Sequence, residues 1–279
     1  MSDFEIDCAM QELYGYWKTT SILFLKKCSI PTLDMLIITK WCEESRKELE
    51  CFSQYIGNSN FIFRHDKNPE IPNCPRGWFT INVKDDIKII EKFLSLGRIV
   101  LLLSNAPFYN NGYNINAIYL NGRYVLEILG PGFDASDLQR GDQSPHQVIW
   151  LNEYFERTDM FIISNENYKK SVVNRLKKIR IRIEESNYYK QLVLSNNNSV
   201  IRYLKKYTNS LLVDNLEKYI CIPSNLLQEV LLQLKELNNN IKNYYFFYEE
   251  PYVISFSFLE GNILNAWDVV FPSKKYETV

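Results

Sequence analysis

Apolar residues along this chain recur in two rhythms, a helical one near 3.6 and an extended one near 2, and their alternation predicts a mixed fold. Residues 10–27 read as an amphipathic helix, with Leu13, Trp17, Ile22, Leu23 and Leu25 inward and Lys18, Lys26 and Lys27 outward; Ser29-Ile30-Pro31-Thr32 ends it. Met35 to Thr39 is short and aliphatic enough for a buried strand, and Trp41 to Phe52 reads as a surface helix. Phe61-Ile62-Phe63 predicts a strand that delivers Arg64, His65, Asp66 and Lys67 at its end. Three prolines in residues 68–77 exclude helix and central strand there. Beyond it come a strand over 79–83, a helix over 86–96 stopped by Gly97, and a buried strand over 99–103. Tyr113 to Leu120 and Arg123 to Leu129 alternate on either side of Asn121-Gly122, a pair that suits a type I′ hairpin because both turn residues need positive φ. Further on, 164–185 reads as a basic helix, 211–219 as a short helix, and Ser224 as the cap of a helix through Leu237. The stretches 252–258 and 263–270 form a second hairpin-like pair.

Composition narrows the function classes. A 279-residue chain that is 46% hydrophobic can bury a large core, as one domain or as two lobes sharing a cleft. A net charge of −1 offers no global attraction to polyanions, which argues against a general nucleic-acid binder; the cations of 164–185 read as a solvated helix face, with a local polyanion groove as the alternative. Six scattered cysteines without a C-x-x-C pair signal neither a zinc site nor a disulfide framework, and imply free thiols in a reducing cytoplasm. The acidic start of the chain is unlike a signal peptide, and no apolar run is long enough to span a membrane.

Chemistry concentrates in two places. Five of the ten glycines fall between 112 and 141, and the loop that follows Glu127 carries Asp134, Asp137, Arg140 and His146. Gly130-Pro131-Gly132 allows close backbone approach, carboxylates suit Mg²⁺, and arginine pairs with phosphate or carboxylate, so the loop suits a phosphorylated or metal-bound ligand. The alternative is a connector tied by its own Asp137 and Arg140. The second cluster is Arg64, Asp66, Lys67 and Arg76, whose three cations within thirteen residues suit a polyphosphate. His65 and His146 are the only histidines, without metal-ligand spacing. No Walker loop, G-x-G-x-x-G or G-x-S-x-G is present.

The N-terminal order, a helix bearing Lys18, then Ser29-Ile30-Pro31-Thr32, an aliphatic strand, a helix and a strand ending in Arg64-His65-Asp66, resembles the start of the ATP-grasp fold. It is similar above all to the nucleotide-binding domain of phosphoenolpyruvate synthases and pyruvate phosphate dikinases. The family's closing glutamate and asparagine are replaced here by Asn265 and Asp268, and its glycine-rich phosphate loop by Pro72 to Gly77. The resemblance implies an α+β, two-lobed ATP-grasp-like unit with antiparallel sheets flanked by helices, divided into residues 1–85 and 86–279. It implies ATP and Mg²⁺ as cofactors, Lys18, Arg64 and Arg76 on the phosphates, and Glu127 and Asp268 on the metal, with Asp66 and Lys67 of the second cluster as further cofactor-binding candidates. Asp134, Asp137, Arg140 and His146 are then left for the second substrate. The expected function is Mg-ATP-dependent activation of a carboxylate, or phosphate transfer, onto a small molecule. The alternatives are a non-catalytic binding or complex-forming protein, as a homo-oligomer or with a protein partner, and a metal-independent transferase of nucleotide-activated groups.

Overall fold

The first helical stretch is two helices rather than one. A computed structural model of the chain describes residues 3–67, 78–104, 112–130, 133, 138, 143–164, 166–171, 173–174, 220–241, 251–259 and 262–270. In it α1 (Asp3–Glu12) ends before a turn, and α2 (Trp17–Lys27) starts from Tyr16, whose backbone (φ −91, ψ 81) is not helical. The expected class is observed: α+β, with two antiparallel sheets flanked by helices.

The first sheet contains β1 (Met35–Ile38), β2 (Asn60–Lys67), β3 (Trp78–Asn82) and β4 (Arg98–Ser104), in the order β1-β4-β2-β3. Because β4 pairs with both β1 and β2, the sheet runs on through Ser104, and a division at residue 85 cuts across it. Strand β2 is longer than the apolar triplet that announces it. It pairs with β4 as far as Lys67, so Arg64 to Lys67 lie within the strand instead of beyond its end. Phe61 and Phe63 face α3 (Glu43–Ile56) and α4 (Ile87–Ser95) in one apolar cluster with Leu49, Ile90, Phe93, Val100 and Leu102. The alternation of a strand therefore turns Ile62, Arg64 and Asp66 to the opposite face.

The second sheet has six strands: β5 (Asn114–Leu120), β6 (Arg123–Leu129), β7 (Gln147–Leu151), β8 (Arg157–Ile162), β9 (Tyr252–Leu259) and β10 (Ile263–Val270). Their order is β10-β9-β5-β6-β7-β8, which sets the two expected hairpins side by side through the β5–β9 ladder. Asn121 (φ 50) and Gly122 (φ 77) both take the positive φ that the turn between β5 and β6 requires. The pattern did not announce β7 and β8, and every residue of β8 is exposed, so its side chains carry no alternation. One face of this sheet, with Ile115, Ala117, Tyr124, Leu126, Ile254 and Phe256, packs in the main core with α1, α2 and α5 (Ser224–Ile241). Helix α5 contributes Leu226, Val230, Leu234, Leu237 and Ile241 at helical spacing and runs four residues past its expected end. The start of the 164–185 helix is observed at 166–171, and its residues from 175 onward lie outside the described ones, as do 211–219. Among the described residues no helix is long and apolar enough to cross a membrane. Among the described residues Cys8, Cys28, Cys42, Cys51 and Cys221 form no disulfide.

Candidate functional site

The face of the six-stranded sheet turned away from the main core carries a set of buried polar residues. Cross-strand register aligns Asp268 on β10 with Ser255 on β9, Ser255 with Asn116 on β5, and Asn116 with Glu127 on β6. A parallel row holds Asn265, Ser257 and Asn114. Residues directly opposite in a ladder share a face, so these seven side chains form one polar surface. Ser255 Oγ bonds Asn116 Oδ1 at 2.8 Å, while Ser257 Oγ donates to Asn114 Oδ1 and receives the Trp267 indole N–H at 2.5 Å. Their sequence signal was the spacing of Asn114, Asn116, Ser255 and Ser257, small polar residues two apart inside aliphatic strands. That signal is easily passed over because such residues also end strands.

A bulge at Trp267 shapes the edge of this surface. Ala266 pairs with Phe256 and Asp268 with Ser255, leaving Trp267 as the extra residue. Bulges release a peptide group from the ladder, and the Trp267 carbonyl accepts from Arg64 Nη1 at 3.0 Å. Arg64 Nη2 meets Asp268 Oδ2 at 3.2 Å. The first sheet is thus joined to the second by the two residues expected to grip phosphate and metal. Lys18, at the start of α2, bonds the His65 carbonyl at 3.2 Å and completes a cationic edge with Arg64.

Asp66 is engaged in the fold. Its Oδ2 accepts from Thr19 N at 3.0 Å and Thr19 Oγ1 at 3.2 Å, which caps α2 from a distant strand in place of the side chain Tyr16 cannot supply. Burial raises its pKa, opposed by the bonds from Thr19 and the charge of Lys18. His65 faces the other way. It stacks on Phe93 at 4.6 Å and receives Arg98 Nη1 on Nδ1, and burial, with Lys18, Arg98 and Arg64 adding to it, pushes the imidazole down to about 3. His146 is fully buried between the rings of Phe133 and Tyr168, each at an edge-to-face distance near 4.5 Å (4.5 and 4.6 Å). Gly130 N donates to its Nδ1 at 2.9 Å, so Nε2 carries the proton toward Ser171 Oγ at 3.1 Å, and burial lowers its pKa to about 3. Both ring nitrogens are therefore committed to tying the mouth of the glycine loop to the 166–171 helix.

Glu127 and Asp268 are not on adjacent strands. The ladder from β6 through β5 and β9 to β10 separates them by three inter-strand steps, roughly 14 Å, which is too far for one cation to take both carboxylates. Among the described residues no group of three His, Cys, Asp or Glu side chains is close enough to hold a metal. Glu127 is half-buried with no hydrogen bond or ion pair among the described residues, and burial raises its pKa. Lys67 ends β2, while Arg76, Asp134, Asp137 and Arg140 lie outside the described residues.

No protein-family model matches the chain, and no curated sequence does. Several solved structures have a similar course. D-alanyl-alanine synthetase A from Vibrio cholerae is 10% identical with a TM-score of 0.46, over 91% of this chain and 54% of that one. A carboxyaminoimidazole ribonucleotide synthase from Aspergillus clavatus, complexed with ATP, is 9% identical with a TM-score of 0.43, over 93% and 46%. The ATP-grasp ligase PsnB, complexed with a minimal precursor, is 8% identical with a TM-score of 0.36, over 96% and 56%. The chain spans about half the length of these proteins.

Proposed function

We propose that the chain is an ATP-grasp-like enzyme that uses Mg-ATP to activate a carboxylate or transfer phosphate to a small molecule, in the cleft where Arg64 meets the polar sheet face. The observation that carries this reading is the Arg64–Asp268 pair, bonded at 3.2 Å where a cationic edge abuts a row of hard oxygen donors. An arginine and an aspartate that neutralise each other are the pair a phosphate and a metal ion would separate, each ion replacing the partner of the other.

The residues present fit both groups. Lys18 and Arg64 supply the cations that hold phosphate oxygens. Asp268, with Asn265 on the same strand and face, supplies the one or two protein oxygens that Mg²⁺ commonly takes beside water and phosphate. Bound Mg-ATP supplies the phosphoryl group, and the loop through Asp134, Asp137 and Arg140 lines the acceptor side in this reading. Millimolar Mg-ATP is expected to raise the melting temperature by about 3 °C or more, an effect that needs both components and disappears in Arg64→Ala and Asp268→Ala. An unchanged melting temperature overturns it.

A second reading, a binding or complex-forming protein with this fold and no turnover, is favoured by the separation of Glu127 from Asp268. It expects a stable assembly in native mass measurement, unchanged by Asp268→Ala, and no phosphate release from ATP.

A further inference from the structure

A line of hydrogen bonds crosses the polar face from the bulge of β10 to the glycine loop. The Trp267 indole N–H donates to Ser257 Oγ on β9 at 2.5 Å. Ser257 Oγ donates to Asn114 Oδ1, directly opposite it on β5, and Asn114 Nδ2 donates to the Phe133 carbonyl. Ser257, Asn114 and Phe133 are all buried. The line runs only one way. An indole N–H donates and never accepts, so the Ser257 hydroxyl spends its own proton on Asn114; a carbonyl accepts and never donates, so the amide turns Nδ2 to Phe133. An interruption at any point leaves a buried donor or acceptor unmatched.

Phe133 is where this line reaches the loop that carries Asp134, Asp137 and Arg140. Apolar anchorage there is small: Leu129, Phe133, Tyr168 and Ile220, with Leu138 and Ile163 against them, form a cluster separate from the main core. His146 holds the loop at Gly130, and Asn114 holds it at Phe133. A segment with so little apolar burial opens at low cost, so its position follows the few bonds that fix it.

The far end of the line is the bulge, which Arg64 grips. Its Nη1 takes the Trp267 carbonyl and its Nη2 takes Asp268. We propose that Ser257 and Asn114 are positioning residues, setting the loop at Phe133 according to how Arg64 holds Trp267. An anion that draws Arg64 away frees the Trp267 peptide; the indole then no longer fixes the Ser257 hydroxyl, and the hold on Phe133 slackens. One consequence rests on the ATP-dependent reading: nucleotide enters first and loosens the acceptor side for the second substrate. The linkage itself needs no nucleotide.

The test is hydrogen exchange of the full chain without nucleotide, read at residues 129–138, with α5 as the internal control for global opening. Ser257→Thr and Ser257→Val have the same shape, so they share any clash and differ only in the hydroxyl. Ser257→Val is expected to exchange about ten-fold faster than Ser257→Thr over 129–138, with α5 alike in both. Arg64→Ala is expected to speed the same segment by about ten-fold beyond α5, and to add less than about two-fold on the Ser257→Val background. A hydroxyl with only a structural role would not show that saturation. Equal exchange in the Thr and Val variants, an unchanged segment in Arg64→Ala, or full multiplication of the two effects would each overturn the assignment. Mg-ATP binding is read separately, by the melting shift of the unmodified protein, so the relay and the nucleotide reading fail independently.

Discussion

Arg64 and Asp268, 204 residues apart, meet at 3.2 Å and are both nearly buried, with side chains 13% and 14% exposed. Each is satisfied by the other sheet: Arg64 also takes the Trp267 carbonyl that the β10 bulge releases. Removing one partner leaves the other's charge in a site from which water is largely excluded. Arg64→Ala and Asp268→Ala are each expected to destabilise by about 1–3 kcal/mol, and the double variant by clearly less than the sum. Urea unfolding of the four proteins measures the coupling; strict additivity would show that the contact contributes nothing.

Two buried neutral histidines make the protein sensitive to acid. His65 and His146 have folded values near 3 against 6.5 when unfolded. Between those limits the unfolded chain binds protons that the folded chain does not, so stability is complete above pH 6.5 and is lost as pH falls toward 3. Each contributes about 1.4 kcal/mol per pH unit inside the window. Chemical denaturation at pH 7, 6 and 5 is expected to show this decline, and His146→Gln to roughly halve the histidine part of the slope. A flat profile would place both side chains in solvent.

Asp66 caps α2 from β2, and its loss is expected to act on that helix first. Asp66→Ala removes the acceptor of Thr19 N and Thr19 Oγ1 and is expected to cost about 1–2 kcal/mol. Asp66→Asn keeps one acceptor and should cost less. The accompanying sign is unusual for a carboxylate. Because the folded pKa is raised, stability from this group falls as pH climbs from 3.8 through the raised value and then levels. Hydrogen exchange at the first amides of α2 reads the cap directly, and protection unchanged in Asp66→Ala would remove its role.

Gly112 lies where β9 passes too close for a side chain. A Cβ there would stand 2.0 Å from the Phe258 carbonyl oxygen, a backbone atom that cannot swing aside, next to the ladder bond from Phe258 N to Tyr113 O. Gly112→Ala is expected to destabilise by at least about 2 kcal/mol through displacement of β9, measured by melting temperature. A neutral result would mean that the two strands separate readily.

Much of the scaffold was legible without coordinates. The Asn121-Gly122 hairpin, the aliphatic strands of β1 and β4 and the stripe of α5 each follow from local chemistry, because turn geometry and burial on one face act over a few neighbouring residues. The length of β2 was not legible. Arg64 to Lys67 look like a polar strand end, and they remain in the strand because β4 pairs with them and because Asp66 and His65 each find a buried partner.

The same division runs through the site. The chain by itself singled out Lys18, Arg64, Glu127, Asp268 and His146, since charged or titratable residues inside apolar surroundings stand out in any linear reading. Strand order then decided what each can do. The Asn121-Gly122 turn had already set Asn116 beside Glu127, but crossing from β6 to β10 through β5 and β9 parted Glu127 from Asp268 and drew Asp268 onto Arg64. These long-range relationships are not encoded locally. They arise because hydrogen-bonded pairing joins segments more than a hundred residues apart, and only the completed sheets fix which side chains share a face.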